Sequence, residues 1–438
     1  MITSDNIIIG AGPGGYELAA ALAEKGESVT VIEKSDLGGT CLNRGCIPTK
    51  SLCASANAVL DAAFAPRLGV NVGPVSVDFD SVIARAGNVV EGLREGVGAL
   101  LGKCEVVKGE AAFVAPRCVK VAGEEYTAKR IVVATGSAPS ALPIPGADLA
   151  ITSDEALWLD KLPASMVIIG GGVIGMEFAS IFAALGSEVT VIEYCKEILP
   201  AVDPEIAKRL RTSLSRRGIN ILVGSAVESI SEKDGLLTVE YAGKKGKASV
   251  EAEKVVMAVG RRPVVPDGFV ENGGELNPRG FICVDKHMRT SIEGVYAVGD
   301  VNGLLMLAHA AYAQGRVVLH DNSGLFEKNM VPSVVFTSPE LAAVGPSAAE
   351  LTEYGTPFHV VKRSFQSNGK ACADGHPDGV VKMLVNDDDN TILSVTILGH
   401  HAADLIAEAT ILVAERIPLD QVASRFIHAH PTLSEILA

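Results

Sequence analysis

One stretch of this chain is written twice. Residues 7–33 read IIIGAGPGGYELAAALAEKGESVTVIE, and residues 167–193 read VIIGGGVIGMEFASIFAALGSEVTVIE. Gly10, Gly12 and Gly15 recur as Gly170, Gly172 and Gly175, and Glu33 recurs as Glu193, each 160 positions later. Each copy passes from an apolar run through a glycine turn into an amphipathic helix, then into a second apolar run closed by an acid. Such a unit needs a parallel sheet, because only a crossover helix joins neighbouring parallel strands. The three glycines have separate duties. The first makes the tight turn, the second lets the backbone approach a pyrophosphate, and the third lets helix and strand pack closely. The helix N-terminus offers unpaired N–H groups and the positive end of its dipole to phosphate. The acid, about twenty residues on, reaches ribose hydroxyls. One such turn leaves a bare glycine corner open as an alternative. Two, each with its strand, helix and acid, predict two bound dinucleotides.

At 438 residues the chain has room for about three domains. The repeats divide it into residues 1–149, 150–266 and a segment 267–330 that contains Val295-Tyr296-Ala297-Val298-Gly299-Asp300, a strand ending in Gly-Asp. Beyond 331 the pattern changes to strand-like runs at 333–337, 380–385 and 393–398 and an apolar helix at 402–416, an α+β unit of its own. Apolar residues at 48% and charged residues at 21% exclude a disordered chain. A formal charge of −14 gives no basic face for nucleic acid. The only membrane-like stretch, 166–186, contains Glu177 and four glycines by residue 175, and reads better as strand, turn and helix. Met1-Ile2-Thr3-Ser4-Asp5 has no basic leader region, so a cytoplasmic protein is expected.

Of eight cysteines, only Cys41 and Cys46 sit close together among unusual neighbours. On a regular helix their axial separation alone is about 7.5 Å, beyond the roughly 7 Å Cα limit for a disulfide. A bridge therefore needs a distorted turn. Gly45 and Pro48 favour one, since Pro48 has no N–H for the carbonyl of Arg44. A distorted bridge is easily reduced. Two buried thiols, or half of a metal site, are the alternatives. The five-residue spacing and the absence of a second cysteine cluster speak against zinc, and the adjoining nucleotide fold favours redox chemistry.

The block LGGTCLNRGCIPTKSL (37–52), Ala134-Thr135-Gly136, Gly260-Arg261-Arg262-Pro263, Val298-Gly299-Asp300 and the terminal HAHPTLSE (428–435) together resemble the pyridine nucleotide–disulfide oxidoreductase family, over nearly the whole chain. The likeness is greatest to the branch that oxidises dihydrolipoamide. It implies an α/β fold with two Rossmann-like domains, for FAD (1–149) and NAD (150–266), a segment 267–330 completing the FAD site, and a C-terminal α+β dimerisation domain (331–438). By this resemblance Gly10, Gly12, Gly15, Glu33, Ala111, Gly136, Asp300 and Ala308 hold FAD. Lys50 lies near the flavin and pairs with Glu177. Gly170, Gly172, Gly175, Glu193, Val227 and Gly260 hold NAD. Glu193 disfavours a 2′-phosphate, and residues 194–200 offer only Lys196 as a base.

The resemblance also implies the chemistry: Cys41 as interchange thiol, Cys46 facing the flavin, His430 as base and Glu435 as its orienting carboxylate, with His428 structural. Each His–Glu pair serves the other subunit of a homodimer, and the partners are lipoyl domains of an E2 component or the glycine-cleavage H-protein. No metal is expected. Read alone, Asp300 is also a turn aspartate and Lys50 a solvated helix lysine. Glu177 is either a buried carboxylate with a partner or a charge at a helix start. Thr432 to Glu435 also fits a capping box, with only three residues left to cap. Glutathione and mercuric reductases are disfavoured by Glu193 and by the unpaired last cysteine, Cys372. A non-catalytic flavoprotein is disfavoured by the presence of Cys41, Cys46, His430 and Glu435 together. Glu17, Val264, Phe336 and Asp404 depart from the family pattern, and a shorter tail beyond Glu435 would either open the site or alter docking in a complex.

Overall fold

Ile7, Ile8 and Ile9 are all buried, Ile7 and Ile9 in one core cluster and Ile8 in another. A strand covered on both faces is what a parallel sheet with crossover helices requires. In the computed structural model, which describes residues 1–320 and 325–438, the strand Ile2–Ile9 lies parallel to Val29–Glu33 on one side and Glu124–Val133 on the other. Helix Pro13–Glu24 makes the crossover. Glu105–Lys108 extends the sheet past Val29–Glu33, and Val295–Ala297 runs parallel to Glu124–Val133. Cys118–Val121 and Ala112–Ala115 add an antiparallel meander. This sheet belongs to a unit made of Met1–Ser51, Ile83–Ser140 and Gly260–Lys328.

The other unit comprises Leu52–Val82, Ala141–Val259 and Asn329–Ala438. Its parallel sheet repeats the first design: Ser165–Ile169, helix Val173–Leu185 and Glu188–Glu193, flanked by Asn220–Val223 and Lys254–Met257. The stretch 166–186 is therefore strand, turn and helix. Among the described residues no helix is long and apolar enough to cross a membrane.

The same unit holds a five-stranded antiparallel sheet in the order Ser333–Val335, Glu340–Val344, Ile392–Gly399, Val380–Asn386, Phe358–Ser364. Helix Ala402–Ala414 packs on it through Leu405, Ile406, Ala409 and Leu412. The helix stops two residues before the expected Arg416. Arg416 takes φ +50, and the Ile417 N–H returns to the Leu412 carbonyl at 2.9 Å, which closes the helix end. Two strands escape the sequence pattern. Glu340–Val344 carries two alanines where β-branched residues would mark a strand. Phe358–Ser364 is an edge strand whose side chains all stay at least partly exposed.

Candidate active site

The glycine turns show which glycines the fold itself demands. Gly10 has φ +103, and a Cβ there would lie 2.4 Å from the Ala134 carbonyl oxygen; at Gly15 it would lie 1.9 Å from the Gly10 oxygen. Gly170 and Gly175 repeat this, at 2.3 Å from Ala258 O and 2.0 Å from Gly170 O. The middle glycines differ. A Cβ on Gly12 would meet only Gly39 Cα at 3.8 Å, and one on Gly172 would meet nothing within 4 Å. Packing gives no reason for glycine at these two positions. No side chain caps either helix, and neither first turn carries an acid. Open space beside helix N-termini that no side chain caps fits a pyrophosphate.

The acids that close the repeats are buried and clamped alike. Glu33 accepts from Ala11 N–H and Ser35 N–H, both at 2.7 Å. Glu193 accepts from Gly171 N–H and Cys195 N–H, both at 2.5 Å. Each carboxylate thus ties the glycine turn to the end of its own strand.

The cysteines lie on two helices, not one. Helix Gly39–Arg44 ends at Gly45, whose φ −150 and ψ −114 leave helical space, and Cys46 begins the helix Cys46–Phe64. A Cβ on Gly45 would sit 2.9 Å from Thr40 O and 3.3 Å from Cys41 Cα, so only glycine lets the chain double back so tightly. Pro48 takes no part in the break. It sits in the first turn of the new helix, where its missing N–H would be unpaired in any case. The break brings the thiols together: the Cys41 and Cys46 side chains hydrogen-bond to each other. That bond, then burial and the charge of Cys46, hold the Cys41 thiol above its usual range, while the charge of Lys50 opposes them. Lys50 lies one helical turn beyond Cys46, on the same face.

Side chains that the sequence did not single out pin this corner. Buried Asn43 donates to Leu37 O and Gly39 O, both at 2.9 Å, and accepts from Arg94 at 3.0 and 2.9 Å. Asp300 accepts from Ser137 Oγ at 2.6 Å, and that hydroxyl accepts from Arg261 Nε at 2.7 Å. Burial raises the Asp300 carboxyl, against the Ser137 hydrogen bond and the Arg261 charge. Arg261 was visible in the sequence only as part of the Gly260–Pro263 run. Gly136 (φ +70) and Gly260 (φ +111) both have open space where a Cβ would stand. Ala308 opens an uncapped helix, Ala308–Leu319. Ala111 is buried in the core beside Phe113.

In the other unit Glu177 is only 4% exposed, and its Oε1 accepts from the Phe336 N–H at 3.0 Å. Of the two readings of Glu177, a buried carboxylate with a partner is therefore realised. Val227 lies in the first strand of the meander Ala226–Ala252, beside a bulge between Val227 and Ser229, and packs on a core that includes Ile169, Ile192 and Val239.

His428 and His430 point to different carboxylates. His428 Nε2 lies 2.6 Å from Glu408 Oε1, with its side chain 11% exposed; His430 Nδ1 lies 2.9 Å from Glu435 Oε1 and is 79% exposed. The His-Ala-His run is thus not a ligand pair, and among the described residues no three His, Cys, Asp or Glu side chains are placed to hold a metal. Glu435 makes both contacts that the sequence set against each other. Its Oε2 accepts from the Thr432 N–H at 2.9 Å, as in a capping box, at the start of a short 3₁₀ turn, Leu433–Leu437. These two contacts, Thr432 first and His430 second, hold its carboxyl below the usual range.

Residues 4–315 match the family model of pyridine nucleotide-disulphide oxidoreductases, and residues 331–438 match the dimerisation domain of that family. The chain belongs to this family. It is 37% identical to the dihydrolipoyl dehydrogenases of Chlamydia muridarum and Staphylococcus aureus, over 99% of this chain and 95% of each of theirs. The Cu(II) complex of the HOCl-induced flavoprotein disulfide reductase RclA from Escherichia coli is similar in structure, with a TM-score of 0.89 at 30% identity, covering 100% of this chain and 98% of that one. As a pyridine nucleotide-disulphide oxidoreductase the chain is an α/β flavoenzyme that uses FAD and NAD and carries a dimerisation domain at its C-terminus.

Proposed function

We propose that this flavoenzyme is a dihydrolipoyl dehydrogenase, the E3 component of a 2-oxoacid dehydrogenase or glycine-cleavage system. It oxidises protein-bound dihydrolipoamide and passes a hydride to NAD. The observation that carries the reading is the thiol pair Cys41–Cys46, held at a broken helix beside a dinucleotide turn. The relatives at 37% identity supply the substrate class. Bound at the two glycine turns, FAD and NAD supply the redox chemistry.

The chain's own residues handle sulfur and protons. His430, in the tautomer fixed by Glu435, takes a proton from the dithiol, because only the thiolate attacks a disulfide. In the oxidised enzyme Cys41 and Cys46 form a disulfide; the thiolate bonds to Cys41, the Cys41–Cys46 bond breaks, and Cys46 leaves as a thiolate. The second substrate thiolate then displaces Cys41 and closes the lipoyl disulfide. Lys50 supplies positive charge beside the thiol pair. The side chain of His430 is largely exposed on its own protomer, which suits service to the thiols of a partner in a homodimer. We assign FAD to Gly10, Gly12, Gly15, Glu33, Ala111, Gly136, Asp300 and Ala308, and NAD to Gly170, Gly172, Gly175, Glu193, Val227 and Gly260. Parts 1–149 with 267–330, 150–266 and 331–438 serve FAD, NAD and dimerisation. Lipoyl domains of E2 or the glycine-cleavage H-protein are the partners. The location we propose is the cytoplasm, whose thiol poise keeps such a cysteine pair reducible.

The likeness to RclA favours a second reading, a disulfide reductase without a lipoyl substrate. One comparison separates them: NADH formation from dihydrolipoamide and NAD, beside NADPH consumption with glutathione disulfide. Rapid NADH formation supports the lipoyl assignment. Its absence, in a yellow protein whose cysteines are reducible, overturns the substrate and leaves the second reading.

A further inference from the structure

Tyr16 and Tyr312 have no part in the chemistry above, yet they stand on two helices that start at the glycine turn the cysteine helix also meets. Tyr16 is one turn into helix Pro13–Glu24, and Tyr312 is one turn into helix Ala308–Leu319. Their hydroxyl oxygens are 2.5 Å apart, and their rings meet edge to face with centroids 6.1 Å apart. The two helices touch at Gly14, where a Cβ would come within 3.3 Å of Ala311 Cβ. The same glycine turn carries the cysteine helix. The Gly38 N–H donates to Ala11 O at 2.8 Å, and a Cβ on Gly39 would lie 2.6 Å from Gly12 Cα. Three helix starts therefore meet at one corner, with Tyr16, Tyr312 and Cys41 each in or near a first turn.

The electrostatics agree with this placement. Burial, first of all, raises both phenols above their usual range, and the charge of Cys41 raises both further. For Tyr16 the hydrogen bond with Tyr312 opposes the rise, and Cys46 adds to it. Glu17, the neighbour of Tyr16, acts on both phenols, and Lys50 acts on Cys41. Cys41, Cys46, Glu17 and Lys50 are the titratable groups that bear on the pair.

Each phenol has one proton. In a pair joined by one O–H···O bond, one hydroxyl commits its proton and the other keeps a proton to donate. We propose that the Tyr16–Tyr312 pair offers this remaining O–H to the sulfur anion that forms on Cys41. The tyrosine that donates would contact the reacting sulfur, and the other is a positioning residue that acts through it.

This rests on the proposed role of Cys41 as interchange thiol. In that exchange the second substrate thiolate attacks the substrate sulfur of the mixed disulfide. The S–S bond to Cys41 breaks, the substrate disulfide forms, and the electron pair leaves on the Cys41 sulfur. The phenol keeps its proton throughout and stabilises the departing thiolate by a hydrogen bond. Run backwards, the same bond favours Cys41 as the attacking thiolate.

The test measures Cys41 without any lipoyl substrate. Reduced holoprotein is alkylated with iodoacetamide over a pH series, and the label is mapped by mass spectrometry. Trypsin cuts at Arg44, so Cys41 and Cys46 fall on different peptides. A hydrogen bond to a charged group is worth a factor of roughly ten or more. In Tyr16→Phe and in Tyr312→Phe, the half-maximal pH for Cys41 labelling should therefore rise by about one unit, while that of exposed Cys372 stays put. Retained flavin absorbance shows that each variant is folded, and either variant alone suffices. An unshifted Cys41 profile, or an equal shift at Cys372, overturns the proposal. If wild-type protein fails to oxidise dihydrolipoamide but the Cys41 profile shifts, the substrate reading fails and the tyrosine pair stands. If turnover is normal and the profile is unshifted, the pair alone fails.

Discussion

Replacing Gly172 by alanine separates what the second glycine turn does for the fold from what it does for a ligand. Gly172 has φ −73 and ψ −174, extended backbone that any residue adopts, and open space where a Cβ would stand. Alanine loses a favoured N-cap residue but gains from a less flexible unfolded chain. These effects oppose one another and are each under about 1 kcal/mol, so stability should change by no more than about 0.5 kcal/mol. Binding should change more. A methyl group that pushes the pyrophosphate off the helix N–H groups removes at least one hydrogen bond to a charged group, about 1.5–3 kcal/mol. That raises the NAD dissociation constant roughly 10- to 100-fold. Gly175→Ala should do the reverse, because its Cβ would stand 2.0 Å from the Gly170 oxygen. Overlap with backbone has no soft neighbour to yield, and costs about 3 kcal/mol. Thermal midpoints and NAD titrations of both holoproteins decide the matter. Wild-type NAD affinity in Gly172→Ala, or equal melting of the two variants, would refute the reasoning.

Three more outcomes are expected. Cys46→Ser should abolish dihydrolipoamide oxidation while FAD stays bound, checked by flavin absorbance beside the activity assay; full turnover removes Cys46 from the chemistry. His430→Gln should slow the thiol step by about 10²- to 10⁴-fold, the usual scale of acid–base catalysis, read from single-turnover reduction. An unchanged rate excludes His430 as the base. His400 stacks on His376 and meets His401 edge to face, and burial, then those two rings, push its pKa down to about 4, against Asp61 and Asp374. The unfolded chain therefore binds this proton from about pH 6.5 downward while the folded one does not, so stability should fall as pH drops from 6.5 toward 4. His400 is partly open to solvent, which limits the effect to about 1 kcal/mol. His400→Gln should flatten this acid limb in a series of thermal midpoints, and an unaltered limb contradicts the assignment.

What could be read in the sequence was local and periodic. The repeat fixed both strand–turn–helix units, because 3.6-residue and two-residue periods and the glycine turn all act within thirty residues. The broken helix between Cys41 and Cys46 was also legible, since a disulfide cannot span a regular helix at that spacing. Even so, the cause was only half right: Gly45 makes the break, and Pro48 merely starts the next helix. Contacts between distant residues left no local trace. Tyr16 and Tyr312 are 296 positions apart, and Ser137 meets Asp300 across 163. The repeat itself hides a divergence, because Tyr16-Glu17 and Met176-Glu177 occupy matching places. Glu177 is buried and receives an N–H, whereas Glu17 acts on a pair of phenols beside the cysteines. One helix position has taken two different tasks.

The matched acids sharpen what a change of nucleotide preference would require. A carboxylate has about four lone-pair sites. Glu193 uses one on Gly171 N–H and one on Cys195 N–H, and the Cys195 thiol also hydrogen-bonds to it, which leaves about one site for a ribose hydroxyl. Clamp and ribose contact are therefore compatible in the same side chain. Glu193→Ser would remove the charge that disfavours a 2′-phosphate, but it would also free two N–H groups at the turn we assign to the pyrophosphate. The loss of NAD affinity from a loosened turn would then accompany any gain for NADP. A real switch needs a residue that keeps the Gly171 contact and adds a cation at positions 194–196, where only Lys196 now stands.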